Sequence, residues 1–419
     1  MRIHVRLLVA LMLLLCFTLL LCACDMDGVV DDVKGGVQDG INGVKDKVNE
    51  VKDKVSNMIT TTSAPPTTTA PVTEAPPSAG MLYQKNPDGR SYTVKGHAGK
   101  DKDLVIAAEK DGLPVVAIMQ AAFKGKSALS SIRIPESVLS IGKDAFSGCD
   151  GLIKAKNRGL YVDRWVVGSG DFIPDLVLEE DTFGIVDGAF AGRARLQTIT
   201  LNASLRTIGA EAFVGCTALT GIVVPEENAY YTADGNALYT KDMTCLIRYF
   251  GTGEAFTVPA SVTEIAPSAF RDNAALCTVT FEEGSALTVL GDHAFAGCTA
   301  LTTFNVPNGV GKIGNGAFLG CTALISCNIP AESACTAIGT EAFRGCASLS
   351  TFTINEGITS IGQNAFYECR GLTAVYFAAP EGWHTERQEI PTFQLESSIL
   401  AVSALRESYS INTWTRRTQ

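Results

Sequence analysis

The stretch IGNGAFLGCTALISCNIP, residues 313–330, decides the architecture of this chain. Its counterparts are IGAEAFVGCTALTGIVVP from Ile208, LGDHAFAGCTALTTFNVP from Leu290, IGTEAFRGCASLSTFTI from Ile338 and IGQNAFYECRGLTAVYF from Ile361. The Ala-Phe pair recurs with Phe123, Phe146, Phe190, Phe213, Phe270, Phe295, Phe318, Phe343 and Phe366. The steps are 23, 44, 23, 57, 25, 23, 25 and 23 residues, and a period near 23 marks a solenoid. The segments LTTFNV (301–306), LISCNI (324–329) and LSTFTI (349–354) alternate as short strands do. Phe304 and Val306 are expected to point inward, Thr303 and Asn305 outward. Coil stacking then lays these strands in parallel on one face. Pro307 and Pro330 end them, because proline cannot extend the ladder. Ile313 enters the core, Gly314 permits a tight turn, and Ala-Phe plugs the interior from a short helical or 3₁₀ turn on the other face.

The 25-residue units add two residues, with Cys335 in the core column of Val310. The long steps hold insertions near 155–178 and 226–256. These contain GLYVDRWVVGSG (159–170) and NALYTKDMTCLIRYF (236–250), each expected as a hairpin projecting from the stack. Solenoid ends need covers. The LYQKNPDGRSYTV hairpin (82–94) suits the first coil. Ile399, Leu400, Val402 and Leu405, at helical spacing within the closing segment 379–419, suit the last.

The amino terminus reads as an address. Arg2 and Arg6 precede an uncharged run, Leu7 to Leu21, that is short for a membrane span and ends in Leu21-Cys22-Ala23-Cys24. Residues 1–24 resemble a bacterial lipoprotein signal, with Cys24 as the lipidated residue; an uncleaved signal anchor is the alternative. Residues 25–58 follow with apolar residues at helical steps, most regular from Val44 to Met58, as in a short coiled coil through which copies could self-associate. Residues 59–80, with seven Thr, five Pro and one charge, form no core and read as an extended spacer. At about 3.1 Å per residue it reaches some 60–70 Å.

Composition excludes several functions. The chain has 419 residues, 34 Lys and Arg against 44 Asp and Glu, and a formal net charge of −10. Loss of the signal removes two arginines and no acid, leaving −12. Nucleic-acid binding needs clustered cations, so none is expected. The four histidines are scattered, which leaves little material for a metal site or a Ser-His unit, and no cofactor is expected. Of 13 cysteines, Cys149, Cys216, Cys298, Cys321, Cys346 and Cys369 share one column, three residues after a Phe. That column suits a small buried group with a weak S–H donor. Parallel stacking gives poor disulfide geometry, so free thiols are the favoured reading and disulfides between coils the alternative. Cys245 and Cys277 lie outside the core columns and are the candidates for reactivity.

The pattern I-G-x-x-A-F-x-x-C-x-x-L-x-x-I-x-I-P resembles the BspA-like leucine-rich repeat proteins of bacterial surfaces, from about Tyr83 to the end. The entry segment 103–123, the 236–250 insertion, EGW (381–383) and NTWTR (412–416) resemble other habitual pieces of that family. Arg193 and Asn273 depart from the cysteine column, and Glu368 replaces the glycine before Cys369. Arg193 implies a more open coil. The expected fold is an α/β leucine-rich-repeat solenoid with repeats over 81–378; a parallel β-helix is the competing fold.

In such repeats the concave strand face is the usual binding surface. Here it would present Thr198, Thr200, Thr278, Thr280, Thr303, Asn305, Ser326, Asn328, Thr351 and Thr353. The plainer reading is that threonine simply suits a solvated strand. That row has no carboxylate pair, histidine or lysine, which argues against acid–base catalysis. The insertion aromatics Tyr230, Tyr231, Tyr239 and Tyr249 are a second candidate surface. The resemblance implies a non-catalytic, surface-held protein that recognises an extracellular protein or a glycan. A structural envelope spacer is the alternative, and an enzyme a distant third.

Overall fold

Each quoted unit closes one coil of a β-solenoid, described for residues 76–417 of a computed structural model. The readings of the signal, the stalk and most of the spacer, Cys24 included, lie outside the described residues. Two rows of short strands run along the stack. One holds the polar-faced strands, such as Thr303–Asn305 and Ser326–Asn328. The other holds the Ile-Gly strands, such as Lys312–Ile313 and Ala337–Ile338. Pairing along both rows is parallel, as coil stacking requires. Phe304 and Val306 are buried while Thr303 and Asn305 are exposed, which bears out the alternation read from the sequence. Cys335 is buried in the column that also holds Val310 and Ile358, as expected.

The Ala-Phe segments are turns of the 3₁₀ kind, one of the two forms expected, and not helices. Bonds of the i→i−3 kind close them, as from Lys124 to Ala121 and from Lys126 to Phe123. Left-handed residues two before and two after the Phe, such as His293 and Gly297, interrupt any helical run. The intervening N–H groups turn sideways onto the neighbouring coil. Thus Phe295 N–H donates to the Ala317 carbonyl and Gly297 N–H to that of Leu319.

The nine Phe rings form three stacks, not one. Phe123 lies over Phe146 at 5.7 Å, and Phe190 over Phe213 at 5.9 Å. Phe270, Phe295, Phe318, Phe343 and Phe366 form the third stack, at 4.6–5.5 Å. Each stack begins with a hairpin of the same topology. Met81–Lys85 pairs antiparallel with Tyr92–His97, which pairs in parallel with Leu113–Ile118. Gly159–Val162 and Trp165–Ser169 repeat the arrangement before Gly184–Ile185. Ala237–Thr240 and Cys245–Tyr249 do so before Glu264–Ile265. The insertions therefore do not project, as the sequence led us to expect. Their second strands are coils of the solenoid, and their first strands occupy the edge on which an earlier coil would have paired. Buried side chains accordingly form two clusters that divide around the third hairpin.

This grouping explains the departures in the repeat. Only coils stacked on a preceding repeat coil carry Gly after the Ile: Gly142, Gly209, Gly291, Gly314, Gly339 and Gly362. The three coils that follow a hairpin have Met119, Val186 and Ala266 there. None of the six glycines has positive φ, so the tight-turn explanation for Gly314 is wrong. A Cβ at these positions would lie 2.3–2.7 Å from backbone of the coil before, and that approach excludes a side chain.

At the far end, Trp383–His384 and Trp414–Arg416 pair antiparallel, and the latter strand covers Ser360–Ile361. Helices α1 (Thr392–Glu396) and α2 (Ser398–Ser403) complete the cover. Trp383, Trp414, Val402 and Leu405 are buried, but Ile399 and Leu400 are exposed, so the expected apolar face holds only in part. The buried contribution that spacing missed comes from Ala401 and Ala404, small enough to pack close to the last coil.

Candidate functional site

The polar-faced row divides as the stacks do. Thr198 and Thr200 lie in the second stack, on a sheet with Asp175–Val177 and Gly221–Val223. Thr278, Thr280, Thr303, Asn305, Ser326 and Asn328 share a four-stranded parallel sheet. Thr351 and Thr353 lie on the next pair of strands, joined to it by a 3.3 Å bond from Ser350 N–H to the Ile325 carbonyl. The ten positions are therefore not one uninterrupted ladder.

Hydrogen bonding separates them further. The Thr198 hydroxyl donates to Asp175 at 2.6 Å, and Thr280 shares a 2.8 Å bond with Thr257. Thr200 and Thr278 are half-buried. Thr303, Asn305, Ser326, Asn328, Thr351 and Thr353 are exposed, and among the described residues their side chains make no hydrogen bond. Other threonines of the solenoid behave differently. Thr288, Thr336, Thr359, Thr302 and Thr373 each donate to a carbonyl of the preceding coil, at 3.1–3.4 Å. Each of these five stands just before a strand, where a carbonyl of the coil behind is in reach. Thr303 stands beside Ser326, and Asn305 beside Asn328, in register. Neighbouring strands lie about 4.8 Å apart, so the six present donors and acceptors at a regular spacing. Tyr376, paired with Thr353 and 53 % exposed, ends the row with an aromatic face. The sequence reading missed it, although the strand column of TAVYF carried the signal.

The insertion aromatics do not form a surface. Tyr231, Tyr239 and Tyr249 are buried; only Tyr230 is exposed, near Arg206. Tyr231 hydroxyl donates to the Arg206 carbonyl and Tyr239 to Asp234. Tyr249 packs on Phe270 at 5.1 Å and so begins the third ring stack. Composition showed the aromatics but not which edge of the solenoid the hairpin would join.

The cysteine column is a second ladder. Cys149, Cys216, Cys298, Cys321, Cys346 and Cys369 each direct S–H at the Phe carbonyl of the preceding coil, at 2.9–3.1 Å. All ten cysteines of the described residues are free thiols. Burial pushes the Cys298 and Cys369 thiols up to about 12 and that of Cys216 to about 11. Thiols so protonated are poor nucleophiles. Cys245 is also held at about 12, by burial and then by Glu264, so its expected reactivity is not supported. The three coils that follow a hairpin have Lys126, Arg193 and Asn273 in this column. They have no repeat Phe carbonyl behind them. Asn273 donates instead to the Gly251 carbonyl, and Arg193 pairs with Asp171, just past the second hairpin.

Among the described residues no group of three or more His, Cys, Asp or Glu side chains is placed to hold a metal. No helix among them is long and apolar enough to cross a membrane.

A family profile of the BspA type leucine rich repeat region matches residues 116–232 and 250–378, in six copies. The chain is similar to a leucine-rich repeat protein of Eubacterium ventriosum, at 22% identity over 71% of this chain and 82% of that one, with a TM-score of 0.46. It is similar to the pneumococcal vaccine antigen PcpA at 22% identity, covering 72% and 86%, with a TM-score of 0.40. A leucine rich cell surface protein of Faecalibacterium prausnitzii is 19% identical, covering 80% and 98%, with a TM-score of 0.32. No curated protein sequence matches the chain.

Proposed function

Because the chain belongs to the BspA-type leucine-rich repeat proteins, we propose that it is a non-catalytic recognition protein, held at the bacterial surface by a lipid on Cys24. Its site is the polar row of the third stack. The observation that carries this reading is the sorting of hydroxyls. Six side chains on neighbouring strands keep their hydrogen-bonding capacity, while Thr198 and Thr280 of the same row spend theirs on Asp175 and Thr257. Repeated donors and acceptors at coil spacing suit an extended partner with a repeating polar backbone, such as an extracellular protein segment or a glycan. Tyr376 would add a flat apolar contact at the end of that track.

The test is to run the chain, with and without lysines at Thr303, Asn305, Thr351 and Thr353, over glycan and matrix-protein arrays. These exposed positions tolerate lysine, so folding is expected to be retained. Binding is expected to fall at least tenfold, equivalent to about 1.4 kcal/mol. A lysine variant that binds as the parent does would reject the row as the site. Failure of the parent to bind any array element, together with a surface defect on deletion, would favour the envelope spacer.

The anchor is tested separately. Fed a labelled fatty acid, cells making this chain are expected to label it, and Cys24→Ala to abolish the label. Label persisting in Cys24→Ala would exclude lipidation at that residue.

A further inference from the structure

The geometry points to a binding site for a small carboxylate at the start of the third stack, apart from the polar row and independent of it. Arg248 lies in the second strand of the third hairpin and is only 8 % exposed. It lines a cleft of about 290 Å³ with Gly215, Thr217, Thr252, Asp272 and Asn273. Its Nη1 donates to the Ser268 carbonyl at 2.9 Å. Its Nε is enclosed without an acceptor, and Nη2 makes no hydrogen bond among the described residues. No carboxylate lies within ion-pair distance of Arg248 among them. A buried cation without a counter-ion is costly, and a bound anion is the direct way to offset that cost.

Three features make this more than a misfit side chain. First, Arg193, in the coil that follows the second hairpin, shows the contrasting solution: its Nε is likewise enclosed without an acceptor, but its Nη1 pairs with Asp171. Second, the one carboxylate on the cleft, Asp272, stands within ion-pair distance of Arg271 and not of Arg248. Asp272 Oδ2 lies 3.8 Å from Arg271 Nε, and its Oδ1 stands 2.6 Å from where a Gly297 Cβ would be, over the following coil. Arg248, Arg271 and Asp272 together sum to one positive charge, in a chain whose net charge is −10. Third, the turn ladder stops here, as it does at Gly148 at the end of the first stack. Gly192 N–H donates to the Val214 carbonyl, and Gly297 N–H to that of Leu319. The equivalent Gly215, on the wall of the cleft, has no such partner among the described residues. The unbonded Nη2 of the guanidinium, with Gly215 on the wall of the same cleft, suits an oxyanion. A local charge of one favours a monoanionic carboxylate over a doubly charged phosphate.

The experiment titrates the full chain in detergent with sodium acetate and with inorganic phosphate at constant ionic strength, by calorimetry and thermal melting. Acetate is expected to bind saturably, with a dissociation constant on the order of 1–10 mM, and to raise Tm, with phosphate weaker. Arg248→Met removes the charge while keeping the stem, so it should fold, melt no lower than the parent without acetate, and lose the acetate response. Arg248→Lys should bind about tenfold more weakly, because it lacks the fork. Arg193→Met, at the other junction, should respond as the parent does. No saturable acetate binding by the parent, or an unchanged response in Arg248→Met, would overturn the site. Should Arg248→Met fail to fold, an unchanged affinity in Arg248→Lys overturns it equally.

Discussion

Phe318→Ala is expected to destabilise the third stack by about 3–5 kcal/mol, the range for removing a fully buried ring from a core that cannot collapse around the gap. Phe295 and Phe343 lie parallel to it at 5.5 and 5.3 Å, and Phe304 meets it at 4.9 Å. Neither parallel neighbour can move inward, because each is fixed by a further ring. Phe295 rests on Phe270 at 4.6 Å, and Phe343 on Phe366 at 5.4 Å. Backbone bonds from Phe295 to Ala317 and from Phe318 to Ala342 hold the coils at their spacing regardless of the side chain. The cavity therefore persists. Stability in a solenoid is nearly a sum of coil terms and nearest-neighbour interfaces. Phe366 has no ring beyond it in the stack, so Phe366→Ala should cost less than Phe318→Ala. Urea unfolding followed by circular dichroism measures both. Equal losses, or a parent-like midpoint for Phe318→Ala, would contradict the stacked-ring account.

The fold was legible because each column of the repeat answers to one physical demand. Alternation at Thr303, Phe304, Asn305 and Val306 could only be a strand with one buried face, and the structure agrees. The division into three stacks was also written in the chain, but as exceptions. Arg193 and Asn273 looked like isolated departures. With Lys126, Met119, Val186 and Ala266 they mark the three coils that follow a hairpin. Spacing alone could not show this, because the step between Phe residues does not reveal which strand edge an insertion will occupy. The same ignorance misplaced the tyrosines. Leu82-Tyr83, Leu160-Tyr161 and Leu238-Tyr239 open equivalent strands, and Tyr161 and Tyr239 are buried. The candidate site was half legible. Side-chain direction follows from strand parity, which found the row. Whether a hydroxyl is spent on a neighbouring coil depends on the stagger between coils, which no single repeat contains. Arg248 escaped notice because its burial comes from the hairpin joining the stack rather than from its own surroundings in sequence.

Gly339→Ala supplies the sharpest test of why these coils stack so closely, because its sign separates two explanations. Where a glycine has ordinary φ and open space, alanine usually stabilises by about 0.4–1 kcal/mol, by restricting the unfolded chain. Gly339 has no positive φ, so backbone conformation gives no reason to exclude alanine. Space does. An added Cβ would lie 2.7 Å from Asn315 N and equally close to the Gly314 carbonyl carbon and oxygen. These are backbone atoms of the preceding coil and cannot rotate away. Relief requires lifting one coil off the next, which would stretch the Ile338–Ile313 pairing, the Phe343–Phe318 contact and the Cys346 bond to the Phe318 carbonyl together. Overpacking of this kind costs about 1–3 kcal/mol. Ala266, in the equivalent column after the third hairpin, already carries the methyl group, so Ala266→Gly should lose only about 0.5–1 kcal/mol through backbone freedom. The two variants are compared by urea unfolding of the same chain. A larger loss for Gly339→Ala is the expected result. A stabilised Gly339→Ala would show that the coils have slack between them, and that the glycine column does not set their spacing.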